Sequence, residues 1–218
     1  MNIETRFTHG TVALRAAEAG PGRLGGYALK FDRQSQNLGG FVERIAPGAL
    51  TKTLNDAGDV LCRFQHDDAL ILGRTLSQTL RLQLDADGLI YEVDLPDTST
   101  GRDLAALAGR GDVQHSSFAF RTIADEWGFT EQGFPLRTLI EIQLIDVAPV
   151  VQPAYLDTTS GLRALAESRH LDPDAVLAAA ASNSLADMLR EAPDAEGPGD
   201  THLAALAIRR RRLDMIRR

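Results

Sequence analysis

The chain of 218 residues and 23.6 kDa is long enough for one ordinary domain with an appendage, or for two small domains. Hydrophobic residues at 44% and charged residues at 24% exclude wholesale disorder, and the longest apolar runs, such as Ala175–Ala181, are too short to cross a bilayer. The first residues lack the basic-then-apolar pattern of a secretory signal, which predicts a soluble protein retained in the compartment where it is made.

The single cysteine, Cys62, excludes an internal disulfide framework and a zinc site built on paired thiolates. The net charge of −7 is unevenly spread. Residues 209–218 hold six arginines against Asp214, about +5 locally, which leaves about −12 for the rest. A basic tail on an acidic body fits a tail that docks on something acidic.

In chain order, short runs at Tyr27–Phe31, Phe41–Ile45 and Val60–Phe64 read as strands. Leu80–Leu84 and Leu89–Leu95 alternate on either side of Asp85-Ala-Asp-Gly88 and read as a hairpin whose Asp-Gly supplies a positive φ. Val113–Phe120 and Leu139–Val147 complete six or seven strands. Helices are predicted over Gly48–Asn55 and Thr100–Ala108, the second ending before Gly109 and Gly111. The composition shifts after Ser160. Leu162–Leu189 is rich in Ala and Leu, with Asp172-Pro173 as N-cap and first-turn proline, Pro193–Asp200 has linker composition, and His202–Arg218 is a basic helix candidate. The expected organisation is a β-rich domain over residues 1–160 and a poorly anchored helical and linker tail over 161–218.

A serine nucleophile needs a base within hydrogen-bond reach and a group that orients the base. Of five histidines, only His66 and His115 lie among the predicted strands. His66 ends a strand and enters Asp67-Asp68; by pattern alone it reads as an idle, solvated turn histidine rather than a reactive one. In Gln114-His-Ser-Ser-Phe-Ala-Phe120 strand parity puts Ser116 with Phe118 and Phe120, and Ser117 with His115 and Ala119. With the phenylalanines in the core, Ser117 is the serine left for a groove, although its spacing alone also suits an ordinary edge-strand serine. In Leu139–Val147 parity groups Asp146 with Ile140, Ile142 and Leu144, an apolar face on which a carboxylate needs a partner; Glu141 lies with Gln143. Cys62 and His66, four residues apart on one strand, are separated by about 13 Å and cannot touch. Cys62 reads as a core residue. No phosphate loop, dinucleotide fingerprint or metal-ligand spacing is present, so no cofactor and no metal are expected.

Several segments in this order resemble the prohead (capsid-maturation) protease family of tailed bacteriophages, whose fold and serine chemistry are similar to those of the herpesvirus assembly protease. They are Gly26–Phe31, Glu43–Leu50, Phe64-Gln-His-Asp67 with Leu72-Gly73, Asp87-Gly-Leu89, Ser117–Phe120 and Leu144–Tyr155. The resemblance runs from about Gly25 to Leu162. It implies a mostly β, α+β fold with a closed or nearly closed β-barrel, followed by the helical C-terminal tail. By position, it makes His66 the catalytic histidine and Ser117 the nucleophile. Where the family has Glu-Val-Ser this chain has Asp146-Val147-Ala148, so Asp146 is the expected third member, Glu141 the reserve and His115 the outsider. Arg121 and Arg137 are the conceivable helpers for the oxyanion. The implied activity is a serine endopeptidase in the cytoplasm of a bacterial host, inside an assembling procapsid. Its implied partners are the major capsid protein, whose scaffolding segment it cuts along with its own tail, and a second copy of itself, with no membrane. The rivals are a non-catalytic assembly protein and a nucleic-acid binder using the arginine tail; the acidic body disfavours the latter.

Overall fold

The Asp85–Gly88 turn shows how local chemistry sets the strands. The computed structural model describes residues 3–8, 12–15, 20–56, 58–151 and 159–191, and in it β7 (Leu80–Leu84) and β8 (Gly88–Asp94) form the expected hairpin. The turn is held by the Asp85 carboxylate, which accepts from the main-chain N–H of Asp87 at 2.8 Å and of Gly88 at 2.9 Å. Gly88 is not among the positive-φ residues, contrary to the expectation. It is small for another reason: a Cβ there would lie 2.1 Å from the Leu29 carbonyl of the neighbouring strand.

That neighbour is β3 (Arg23–Lys30), which with β2 (Ala13–Arg15) completes a four-stranded sheet in the order β2-β3-β8-β7. A six-stranded sheet is built from β1 (Glu4–Thr8), β4 (Val42–Ile45), β5 (Leu61–Arg63), β6 (Ile71–Arg74), β9 (His115–Phe129) and β10 (Pro135–Val150). Its order is β1-β9-β10-β5-β6, with β4 also on β10. Along one edge β10 pairs antiparallel with β9. Along the other it pairs parallel with β4 near Leu136–Leu139 and with β5 at Asp146↔Leu61 and Val147↔Cys62.

Both inner faces share one core, to which β3 gives Leu24 and Leu29, β8 gives Tyr91 and Val93, and β9 gives Phe118 and Phe120. The sheets meet at two borders, β1 beside β3 and β6 beside β7 and β8, and Thr8 Oγ1 donates to the Ala28 carbonyl at 2.7 Å. The α+β reading holds; among the described residues no ladder closes the two sheets into one barrel. Short α1 (Thr51–Asn55) lies within the expected Gly48–Asn55, and α2 (Ser99–Arg110) runs past the expected stop at Gly109 to end at Gly111. Thr98 caps α2 by accepting from Gly101 N–H at 3.3 Å, and Gly111 ends it at φ +84°. No described helix is long and apolar enough to cross a membrane.

Helices α3 (Thr159–Arg169), α4 (Pro173–Ala181) and α5 (Leu185–Glu191) are not loosely attached, as their composition had suggested. Leu162, Leu165, Val176, Leu185 and Leu189 form a second core with Leu38 and Phe41 of the body. Asp172 caps α4 by accepting from Asp174 N–H at 3.2 Å, with Pro173 in the first turn as predicted. The Pro193–Asp200 linker and the basic helix at 202–218 lie outside the described residues.

Candidate active site

Parity on β9 separates two adjacent serines. Phe118 and Phe120 stack at 5.3 Å in the core, and Ser116 shares their face, its Oγ 3.2 Å from the Tyr91 hydroxyl. Ser117 points to the opposite face of the sheet.

Parity fails on β10, and the failure matters. Ile142 and Leu144 are buried in the main core, and strict alternation would send Asp146 there too. A register shift between Leu144 and Asp146 intervenes: Leu144 pairs with Phe120, whereas Asp146 pairs with Ala119 and Ala148 with Ser117. The bulge turns Asp146 over onto the face of Ser117, where it is 1% exposed.

The histidine comes from the other side of β10. After β5 the chain makes a single 3-10 turn, Phe64–His66, in which both Gln65 and His66 have φ of +59°. Two successive left-handed non-glycine residues are strained. Main-chain bonds close the loop, from Phe64 N–H to Leu70 O at 3.0 Å and from Asp67 N–H to Phe64 O at 3.1 Å. The turn swings the imidazole across β10 toward β9.

The three side chains meet there. His66 Nδ1 lies 2.6 Å from Asp146 Oδ1, and His66 Nε2 lies 2.6 Å from Ser117 Oγ. A neutral imidazole carrying its proton on Nδ1 satisfies both contacts: Nδ1–H donates to the carboxylate, and Nε2 accepts from the serine hydroxyl. The same hydroxyl has a second acceptor, the Arg6 carbonyl of β1 at 2.8 Å. The other carboxylate oxygen, Asp146 Oδ2, accepts from Arg63 Nη2, while Arg63 Nη1 donates to Asp68 Oδ1. Asp146 is therefore engaged at both oxygens, as a buried carboxylate requires.

The other sequence candidates lie elsewhere. Glu141 pairs with Lys52 at 3.5 Å, on the outside of β10. His115 shares the β9 face of Ser117 but is not a partner of the Ser117–His66–Asp146 chain. Cys62 is in the core; burial first and Asp146 second push its thiol far up, so it stays neutral. Neither arginine named for the oxyanion is bonded to Ser117. Arg121 donates to Gln143 Oε1 at 3.3 Å. Arg137, fully buried, joins Glu4 (2.7 Å), Glu43 (3.0 Å) and Asp125 (2.6 Å) in a network that also holds Arg6. Sequence reading passed over Arg63, Glu4 and Arg6. The only local sign of the first was a cation three residues before His66.

Chemically, the arrangement can accept a proton from Ser117 at His66 Nε2 while Asp146 stabilises the resulting imidazolium. A cavity of about 440 Å³ lies between β1 and β4, lined by Phe7, Lys30, Arg33 and Arg44 but by none of the three.

A family model described as caudovirus prohead serine protease matches residues 11–171. Among solved structures the chain is similar to the bacteriophage T4 capsid assembly protease, gp21, with a TM-score of 0.45 and 16% identity, over 70% of this chain and 97% of that one. No curated protein matches the chain.

Proposed function

The chain belongs to the caudovirus prohead serine protease family, and on that premise we propose that Ser117 is the nucleophile, His66 the general base and Asp146 the group that orients and stabilises it. The chain is a capsid-maturation serine protease by family. The observation that supports this assignment of roles is the unbroken hydrogen-bond chain from Ser117 through His66 to Asp146, both links at 2.6 Å.

In this reading His66 Nε2 takes the Ser117 proton as Oγ attacks a peptide carbonyl, then delivers it to the leaving amine. Asp146 keeps the imidazole in the Nδ1–H form and lowers the energy of the imidazolium. The Arg6 carbonyl competes for the serine proton in the resting enzyme, and an approaching substrate shifts that hydroxyl toward His66. The substrate class is the scaffolding segment of the major capsid protein together with the enzyme's own C-terminal residues. The setting is a procapsid assembling in the host cytoplasm. The two sheets, meeting at both borders, serve as a nearly closed barrel that holds β9 and β10 rigid beneath the site.

Co-expression of the enzyme with the capsid protein of its own particle tests the assignment, with capsid-protein masses read by mass spectrometry. Wild type should yield the shortened capsid protein, and His66→Ala should leave it full-length. Asp146→Asn should slow cleavage by roughly 10⁴-fold, because the amide favours the wrong tautomer. Wild-type turnover in the folded His66→Ala variant counts against the reading.

A further inference from the structure

We propose that Arg63 is a positioning residue for the proton-transfer pair: it fixes the plane of the Asp146 carboxylate and couples it to the turn that carries His66. This rests on the roles assigned above to Ser117, His66 and Asp146.

Asp146 is 1% exposed and must have its charge met inside the protein. His66 Nδ1–H meets one oxygen, and the guanidinium of Arg63, itself 13% exposed, meets the other. Arg63 is in register to do so: β5 runs parallel to β10 with Leu61 opposite Asp146 and Cys62 opposite Val147. The second arm of the fork, Nη1, is held by Asp68, two residues beyond His66. One planar group thus ties the strand bearing the acid to the turn bearing the base. Both attachments use the fork geometry that distinguishes arginine from lysine.

The charge has its own consequence. A cation on the far side of Asp146 offsets part of the carboxylate's attraction for an imidazolium. The charged and titratable groups around the pair are Arg63 and the neutral Cys62 thiol on β5, Asp67 and Asp68 in the turn, and Ser117 with His115 on one face of β9. Arg63 is the cation bound directly to Asp146. Its removal leaves Asp146 unopposed, favours the protonated imidazole and moves the acidic limb of the rate profile to higher pH.

The test uses a fluorophosphonate probe, which reacts with an activated serine and needs no knowledge of the cleavage sequence. The second-order labelling rate of the full chain is measured against pH, with the labelled residue located by mass spectrometry. Arg63→Gln should lower the plateau rate by roughly 10- to 100-fold and move the acidic limb to higher pH. Arg63→Lys should return the limb to the wild-type position while the plateau stays low, since charge is restored without the fork. A superimposable profile for Arg63→Gln overturns the proposal, as does a wild-type plateau for Arg63→Lys, which stands even where the glutamine variant does not fold. Wild-type protein left unlabelled at Ser117 overturns instead the nucleophile assignment on which the proposal depends.

Discussion

Ser116 and Ser117 are neighbours in the chain that face opposite environments: Ser116 Oγ lies 3.2 Å from the buried Tyr91 hydroxyl, and Ser117 Oγ lies 2.6 Å from His66 Nε2. One peptide unit divides a core hydroxyl from one bonded to an imidazole. The division follows from the two-residue period of a strand whose inner face is filled by Phe118 and Phe120.

Their alanine variants should therefore separate activity from stability. Ser117→Ala should abolish capsid-protein processing, a loss on the order of 10⁶-fold, with the fold retained. Ser116→Ala should keep processing but cost about 1–3 kcal/mol, because a buried tyrosine hydroxyl loses a partner. Processing assays paired with thermal melts check both. A folded, inactive Ser116→Ala would contradict the division.

The buried charges beneath β1 predict a pH-dependent stability. Burial pushes the Glu4 carboxyl up, but the hydrogen bond and charge of Arg137, then Arg6 and Thr122, outweigh it and hold Glu4 below its ordinary value of 4.5. A carboxylate depressed in the folded state contributes stability above its ordinary value and loses that contribution as the pH falls through the folded one. Glu4→Gln should thus be less stable than wild type at neutral pH, with the gap closing as the pH drops below 4.5. Arg137→Met, which strips the cation from three carboxylates, should cost about 3–5 kcal/mol. Denaturant melts across pH measure both; a gap that does not narrow in acid would refute the Glu4 account.

The strained turn that carries His66 makes a third prediction. Gln65 sits at φ +59°, where glycine is at ease and a β-branched side chain is not. Gln65→Gly should be neutral or slightly stabilising. Gln65→Val should cost about 1–3 kcal/mol and slow labelling of Ser117 by displacing His66. Equal melting temperatures for the two variants would show that the left-handed turn is not what holds the imidazole.

Self-trimming is expected between residues 192 and 201 and not within α3–α5. A protease binds extended backbone, whereas Leu162, Leu165, Val176 and Leu189 hold these helices against Leu38 and Phe41. Mass spectrometry of wild type and Ser117→Ala after long incubation should show a Ser117-dependent product ending in that interval. A chain stopped after Glu191 should melt like wild type; one stopped at residue 158 should melt lower, with the second core exposed. A Ser117-dependent cut inside 159–191 would refute this placement.

What the sequence determined by itself was local. Alternation around Asp85–Gly88 marked the β7–β8 hairpin, the Ala-Leu run before Gly111 marked α2, and Asp172-Pro173 marked the start of α4. Parity assigned Ser116 and Ser117 to opposite faces of β9. Each is a period or a capping preference written within a few residues. The tertiary structure alone decided features that depend on distant partners. Strand β1 was invisible to hydropathy because its buried positions are Glu4, Arg6 and Thr8, whose charges are met inside by partners far along the chain, Glu43 and Arg137 among them. Parity put Asp146 on the core face until the bulge in the β9–β10 ladder turned it toward Ser117. The Ala-Leu composition after Ser160 marked helices but not their anchoring, because their apolar faces find Leu38 and Phe41 only when the chain is folded. A turn or a strand period is set by backbone sterics near at hand, whereas a buried charge, a bulge or a docked helix is stable only through groups that sequence distance conceals.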